Sequence, residues 1–204
     1  MRPNVKLNTI LLTAILLLFS IFMGAYRIEL SSATQKAYQT KRELYVAQYS
    51  KEFGIDPALL AAIIKHESKL FARAERNDRA RLEGVPWVES IVNQYALDRE
   101  DPETWHSMGY SQILYLTVVD MGYLTWAKER GLSCRPSDLL DIQTNIYWAC
   151  EYIKQSLMNR YTDPRYIAAG YNAGSARKDA TGKYRNQEYV DSVMVHYLEY
   201  GGHL

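Results

Sequence analysis

Three aspartate–proline pairs punctuate this sequence, at residues 56–57, 101–102 and 163–164. An aspartate just before a helix accepts hydrogen bonds from the first unpaired backbone N–H groups. Proline suits the first helical position because it has no N–H group to leave unpaired. The chain lacks the strict alternation of apolar and polar residues that is typical of a half-buried β-strand. Together these features predict an all-α fold.

Apolar periodicity extends this prediction to most of the chain. It predicts helices over residues 36–53, 57–70, 87–97, 112–121, 123–130, 139–160, 164–173 and 187–199. The polar, turn-rich stretch 174–186 is predicted to be a loop. The arginine-rich stretch 72–86 is predicted to be irregular, and a solvated surface loop is favoured there over a binding patch. Residues 36–204 are predicted to form one domain, since about 170 residues suffice for a single hydrophobic core.

An apolar run near the N-terminus follows Arg2 and Lys6. Residues 7–26 make a stretch of 20 residues, about what a helix needs to cross a ~30 Å hydrocarbon core. The positive charge before it predicts a cytoplasmic N-terminus, with the rest of the chain outside the cytoplasm. Residues 1–30 are therefore a signal anchor or, alternatively, a cleaved signal peptide, for which the small residues 31–33 offer a cleavage site.

Charge and cysteine content exclude several kinds of protein. Lys and Arg total 24 against 23 Asp and Glu, so no basic excess indicates a nucleic-acid partner. The chain has two cysteines, Cys134 and Cys150, which excludes a four-cysteine zinc site. In an oxidising compartment the pair can form a disulfide. The alternative is two free thiols, with Cys150 on a buried helix face.

Glu67 occupies an unusual position for a charged residue. At 100° per residue it shares the apolar stripe of the predicted helix 57–70 with Leu60 and Ile64, opposite Lys65. Burial and the negative end of the helix both disfavour the carboxylate and raise its pKa. A glutamate that is protonated near neutral pH suits a general acid. The alternatives are a structural glutamate paired with a basic residue elsewhere in the core, or a helix that ends early and leaves Glu67 outside the apolar stripe.

Two further segments place polar side chains among small residues. The turn 107–112 presents Gln112, whose amide both donates and accepts and therefore suits sugar hydroxyls or an N-acetyl group. Residues 168–174, with the sequence Ala-Ala-Gly-Tyr-Asn-Ala-Gly, bring Tyr171 and Asn172 near a helix end. Each segment alone also fits ordinary helix packing with a glycine cap.

Taken in order, these segments resemble the soluble lytic transglycosylase (SLT) family, which has a lysozyme-like fold of the goose-lysozyme type. The resemblance covers about residues 40–200 and rests on Glu67-Ser68, the turn 109–112 and the segments 138–153, 169–174 and 186–193. The family's turn usually reads Gly-Leu-Met-Gln, whereas Tyr110 and Ser111 stand here in place of Leu and Met. Such differences lie on the expected walls of the groove, so they bear on substrate preference more than on reaction type.

The resemblance implies a peptidoglycan lytic transglycosylase, a carbon–oxygen lyase that cuts the β-1,4 bond between N-acetylmuramic acid and N-acetylglucosamine. Glu67 would protonate the glycosidic oxygen and then accept the proton of the muramic C6 hydroxyl as a 1,6-anhydro ring closes. The substrate-binding residues that the resemblance implies are Ser68, Tyr110, Gln112, Tyr171, Asn172 and Tyr189. Helix termination is the alternative role for Ser68, and core packing is the alternative for Tyr110. No metal and no organic cofactor is implied.

Two other functions stay open at this point. A muramidase of the same fold would add water instead of closing the ring. A membrane-tethered protein would bind glycan strands without cutting them. Peptidoglycan as a partner implies a bacterial cell envelope, with the chain either anchored in the inner membrane through residues 7–26 and facing the periplasm, or secreted to the periplasm after cleavage.

Overall fold

The computed structural model describes residues 36–70 and 73–203, and most of them are helical. The chain divides into two units between residues 41 and 42, and every element below except the beginning of the first helix lies in the second. The α-helices are α1 (36–53), α2 (Pro57–Ser68), α3 (Arg79–Leu82), α4 (Pro86–Gln94), α5 (Tyr115–Asp120), α6 (Tyr123–Glu129), α7 (Ile142–Tyr152), α8 (Pro164–Ala173) and α9 (Gln187–Glu199). Two 3-10 helices, Pro102–Trp105 and Pro136–Leu140, and a π-helix, Ile153–Met158, complete the helical part.

All three aspartate–proline pairs begin a helix, as predicted. The Asp56 side chain accepts from the Ala58 N–H at 2.8 Å at the start of α2, and Asp163 accepts from the Arg165 N–H at 2.8 Å at the start of α8. Asp101 accepts from the Glu103 N–H at 2.9 Å, where it begins a 3-10 helix. The aspartates satisfy donors that the first helical turn leaves unpaired.

A small antiparallel sheet is the main departure from the all-α prediction. Its strands are β1 (Glu75–Asn77), β2 (His106–Met108) and β3 (Ile113–Leu114), in the order β1-β2-β3. Part of the stretch 72–86 that was predicted to be irregular therefore forms β1 and α3. Strands of two or three residues are too short to show alternation in the sequence.

Several predicted helix boundaries were wrong, and local backbone geometry explains two of them. The helix predicted over 57–70 ends at Ser68, because Lys69 and Leu70 adopt positive φ angles of 48° and 68°. The helix predicted from residue 112 begins at Tyr115, because Gln112 has a φ of 49° and the next two residues form β3. The helix predicted over 139–160 is a 3-10 segment, α7 and the π-helix in succession. The predicted boundaries of α8 and α9 are confirmed.

The core forms around α2, where Leu60, Ile63 and Ile64 have no exposed surface. Helix α9 packs antiparallel along α2. Tyr197, near the end of α9, donates to Asp56 Oδ2 at 2.7 Å at the start of α2, while Tyr189, near the start of α9, contacts the end of α2. The pairing fixes the C-terminal turn of α2 against the first turn of α9.

The two cysteines are free thiols, so the structure takes that alternative over the disulfide. Cys150 is fully buried in α7, and burial raises the pKa of its thiol. The Cys134 Sγ lies 3.6 Å from the Leu124 carbonyl oxygen, to which it donates. Within residues 36–70 and 73–203, no helix is both long and apolar enough to cross a membrane. The predicted span 7–26 and cleavage site 31–33 lie outside the described residues.

Candidate functional site

A cleft of about 430 Å³ opens where α2 and α8 end beside the small sheet. This volume lies within the range of small-molecule binding sites. Four of the residues predicted for the site line the cleft: Glu67, Gln112, Tyr171 and Asn172. They come from three separate segments of the chain, and the fold brings all of them to one surface.

Glu67 lies in the last turn of α2 with its side chain 6% exposed. Its Oε1 accepts a hydrogen bond of 2.8 Å from the Tyr189 hydroxyl, and its Oε2 lies 3.9 Å from Nη1 of Arg76. Burial raises the pKa of Glu67 to about 7, while the Tyr189 hydrogen bond and the Arg76 charge lower it. Burial is the largest of these effects, so the carboxyl is poised to hold and release a proton near neutral pH.

Asp78 lies behind Arg76, and its carboxylate is fully engaged. Its Oδ1 is 3.2 Å from Nε of Arg76 and 3.3 Å from Nη2 of Arg81, and its Oδ2 accepts from the Ser107 hydroxyl at 2.7 Å. Both oxygens of Asp78 therefore have partners, and the residue anchors the two arginines. Among the described residues that line the cleft, Glu67 is the only carboxyl.

Gln112 reaches the cleft from the turn between β2 and β3. Its Nε2 donates to the Ala74 carbonyl at 2.7 Å and to the Gly109 carbonyl at 3.1 Å. Its Oε1 accepts no hydrogen bond within the described part of the chain. The amide nitrogen therefore fixes the side chain, and the oxygen is the atom left to accept from a ligand N–H or hydroxyl group.

Tyr171 and Asn172 close the other side of the cleft at the end of α8. The Tyr171 hydroxyl donates to the Ser111 carbonyl at 2.9 Å, which ties α8 to the same turn. Asn172 is exposed, and its Oδ1 accepts from Nδ2 of Asn186 at 3.0 Å. Asn172 is therefore the more accessible polar side chain of the two.

Three other residues predicted for the site have different surroundings. Ser68 is buried and does not line the cleft: its hydroxyl donates to the Ile64 carbonyl at 3.0 Å and accepts from the Leu70 N–H at 3.1 Å, as expected of a helix-ending residue. Tyr110 is 3% exposed, packs in the core and does not line the cleft. Tyr189 was predicted to bind substrate, and its hydroxyl donates a hydrogen bond directly to the carboxyl of Glu67.

Sequence reasoning missed Asn145, which holds the turn that carries Gln112. Its Nδ2 donates to the carbonyls of Met108 and Leu139 at 2.7 and 3.0 Å, and its Oδ1 accepts from the Ser111 N–H at 2.8 Å. One fully buried amide thus fixes three backbone groups. The sequence signals were an asparagine on a largely apolar helix face and its place in segment 138–153, which carries part of the family resemblance.

The arginine-rich stretch 72–86 also contributes more than the predicted solvated loop. Arg76 on β1 and Arg81 on α3 both line the cleft, whereas Arg79 pairs with Glu83 on the surface at 3.1 Å. Half-exposed arginines on an anchoring aspartate supply positive charge beside Glu67. Within the described ranges, no cluster of three His, Cys, Asp or Glu residues could hold a metal ion.

The sequence model of the family described as Transglycosylase SLT domain matches residues 44–192, which is well over half of the chain. The matched range contains Glu67, Tyr189 and the described lining of the cleft. A search of curated proteins finds no match.

Proposed function

The chain belongs to the transglycosylase SLT domain family, and from that premise we propose that it is a peptidoglycan lytic transglycosylase with Glu67 as its acid and base. The observation that carries the proposal is the buried Glu67 carboxyl, whose pKa is raised to about 7 in a cleft of suitable size. An ordinary glutamate, with a pKa near 4.5, would have lost its proton at neutral pH and could not start the reaction.

In the first step, protonated Glu67 donates its proton to the glycosidic oxygen as the bond from that oxygen to C1 breaks. Glu67 is now a carboxylate, which the Tyr189 hydroxyl and the Arg76 guanidinium stabilise. The charge therefore develops where a hydrogen-bond donor and a cation already stand. These two contacts offset part of the cost of burying the carboxylate, so the ionised state is accessible once the proton has moved.

In the second step, the C6 hydroxyl of the muramic residue attacks C1 and gives its proton to Glu67. The C1–O6 bond replaces the broken bond, the 1,6-anhydro ring closes, and Glu67 is protonated again. The protons balance without water. Gln112 Oε1 and the Asn172 side chain would receive the N-acetyl and hydroxyl groups of the sugar, and Tyr171 would shape the cleft wall.

The engaged state of Asp78 favours this single-carboxyl reaction over a two-carboxylate hydrolase. A two-carboxylate hydrolase uses its second carboxylate to activate water or to attack the sugar. Asp78 is held by Arg76, Arg81 and Ser107, and the described cleft lining offers no other acid. A muramidase that works through two carboxylates is therefore the less favoured function.

Mass spectrometry of digested peptidoglycan tests the proposal. We expect residues 36–204 to release muropeptides with 1,6-anhydro ends, lighter by one water than reducing-end products. Glu67→Gln should lower the rate by at least about a thousandfold, since the amide cannot supply the proton. Glu188→Gln, an exposed neighbour on α9, is the matched control. Reducing-end products would indicate a muramidase, and binding without any products would indicate the non-catalytic alternative.

The proposal includes a place in the cell. We propose that residues 36–204 form the working domain in the bacterial envelope, with residues 1–30 as anchor or signal peptide. The support is the apolar run 7–26 after Arg2 and Lys6. Fractionation and N-terminal sequencing of the expressed full chain separate the two forms. An intact N-terminus in the membrane fraction indicates an anchor, a mature N-terminus near residue 34 indicates cleavage, and recovery in the cytoplasm contradicts both.

A further inference from the structure

The cleft concentrates positive charge on a chain that is nearly neutral as a whole. The charged residues among its described lining are Glu67, Arg76 and Arg81, whereas the sequence as a whole has 24 basic and 23 acidic residues. When Glu67 carries the proton that the reaction needs, two guanidinium groups face the cleft. Asp78 behind them offsets one of the two charges. The cleft in its reactive form therefore has a net positive charge.

The two arginines differ in how many of their guanidinium nitrogen atoms already contact another residue of the protein. Arg76 engages Asp78 through Nε and Ser107 through Nη2 at 3.3 Å, and its Nη1 faces Glu67. Arg81 engages Asp78 through Nη2 alone, at 3.3 Å. Within the described residues, its Nε and Nη1 have no partner, and its side chain is 59% exposed. Arg81 is thus held in position and still has two donors for a ligand.

We propose that Arg81 binds a carboxylate of the muramyl unit in the glycan strand, and that this contact selects strands that carry one. The proposal rests on the peptidoglycan substrate proposed above. A muramyl unit carries a free lactyl carboxylate where its peptide has been removed, and carboxylates on the peptide stem where it is present. Arginine suits either, because its planar fork can make two parallel hydrogen bonds to one carboxylate.

The restrained position of Arg81 lowers the side-chain entropy that such a contact would cost. An exposed arginine without an anchor loses side-chain entropy when it pairs, and such pairs contribute little. Asp78 already restrains the Arg81 guanidinium, so less entropy remains to be lost on binding. The buried Ser107 hydroxyl holds Asp78 in turn, which keeps the whole arrangement in place when the cleft is empty.

The test measures binding of soluble glycan strands in a Glu67→Gln background, where no cleavage occurs. The strands carry peptide stems or are denuded, and a portion of each is amidated to remove its carboxylates. We expect Arg81→Gln to raise Kd about tenfold for unmodified strands, equal to about 1.4 kcal/mol, and to leave Kd unchanged for amidated strands. Arg79→Gln is the matched control, because Arg79 lies on the same helix and does not line the cleft.

Each outcome bears on the proposal. A loss of affinity for denuded strands alone identifies the lactyl carboxylate, and a loss for stem-bearing strands alone identifies the peptide. An unchanged Kd for all strands, or an equal loss for amidated ones, overturns the proposal. If Arg81→Gln does not fold, Arg81→Lys decides, since lysine keeps the positive charge but lacks the planar fork and should weaken binding of unmodified strands only. Carboxylate-dependent binding by a chain that releases no anhydro products would retain this site and reject the lyase function.

Discussion

At the residue scale, the proton affinity of Glu67 reflects opposing influences of known origin. Removing the carboxylate from water raises its pKa, while the Tyr189 hydroxyl and the Arg76 guanidinium lower it. A site with burial alone would hold the proton too tightly to release it. A site with strong pairing alone would never be protonated at neutral pH. The value of about 7 lies between these extremes, which suits the proposed role of Glu67 as first an acid and then a base.

The Tyr189 contribution can be measured separately. Tyr189→Phe removes the hydroxyl that donates to the carboxylate, so the pKa of Glu67 should rise above about 7. The alkaline limb of kcat/KM should then move to higher pH by about one unit, the size expected for one charge-assisted hydrogen bond. A pH–rate profile measures the shift. Tyr200→Phe on the exposed surface should leave the limb in place, and an unmoved limb in Tyr189→Phe would contradict the role given to its hydroxyl.

Stability should depend on pH through the same carboxyl. The folded pKa of about 7 is higher than the ordinary 4.5, so the folded state binds more protons than the unfolded state between these values. The free energy of unfolding should therefore fall as pH rises from 4.5 to 7 and then level off. Glu67→Gln removes this loss, and by pH 8 it should be more stable than the wild type by about 3 kcal/mol. Urea unfolding at several pH values measures the difference, and parallel curves for the two proteins would contradict the raised pKa.

The sequence revealed the part of this chemistry that depends on residues close together along the chain. It did not reveal the contacts between distant residues. Glu67 stood out because its apolar stripe is local to one helix. Its contact with Tyr189 joins residues 122 positions apart, and no local pattern reports such a pair. The anchoring of Arg76 and Arg81 on Asp78 was missed for a related reason: the sequence showed a charged stretch, but not which of its arginines turn toward the cleft.

At the element scale, contacts with α7 hold the turn between β2 and β3 in place. Asn145 satisfies the backbone of this turn, and Gly109 allows the close approach. A Cβ at Gly109 would lie 2.5 Å from Asn145 Nδ2 and 2.7 Å from the Leu139 carbonyl oxygen. The φ of Gly109 is 72°, a conformation that residues with a side chain seldom adopt. The placement of Gln112 therefore depends on a glycine and an asparagine that do not line the cleft.

A paired substitution tests this dependence. Gly109→Ala should cost the left-handed backbone energy plus the clash with Asn145, in total about 3 kcal/mol or more. Gly131→Ala is the matched control, because Gly131 has a φ of 67° and open space around its Cα. It should cost about 1 kcal/mol. Denaturant unfolding compares the two, and equal losses would show that the close approach to α7 adds nothing.

Helix boundaries were predicted correctly where the sequence carries a capping signal at both ends of the helix. Helix α8 has Asp163 and Pro164 at its start and Gly174, with a φ of 70°, as its C-cap. The sheet escaped prediction because its strands are no longer than three residues, and their pairing joins β1 to β2 across about thirty positions. Which short segments pair is decided by the core they cover, here Met108 and Ile113.

At the scale of the whole molecule, the domain owes its stability to one packed core rather than to a covalent link. Both thiols are free, and the core contains large buried side chains such as Trp105 and Tyr123. The sequence left the disulfide open because Cys134 and Cys150 are 16 positions apart and spacing does not reveal geometry. The structure places one thiol beside a carbonyl oxygen and the other inside a helix face.

Thiol chemistry tests this arrangement. Without denaturant, iodoacetamide should modify the half-buried Cys134 and spare Cys150, whose burial also raises the pKa of its thiol. Peptide mapping by mass spectrometry identifies the modified residue. Reducing agent should leave Tm unchanged within about 1 °C, whereas breaking a disulfide of this span would cost a few kcal/mol of stability and lower Tm clearly.

The antiparallel pairing of α2 with α9 also sets an order of events during synthesis. The ribosome completes Glu67 more than a hundred residues before it reaches Tyr189. Until α9 emerges and packs, α2 lacks both the neighbour that buries its last turn and the hydroxyl that meets its carboxyl. A growing chain without α9 therefore lacks the hydrogen bond from Tyr189 to Glu67, and the site is assembled among the last parts of the fold. If the chain is the lyase proposed above, its proton donor would thus be completed only after α9 has been made.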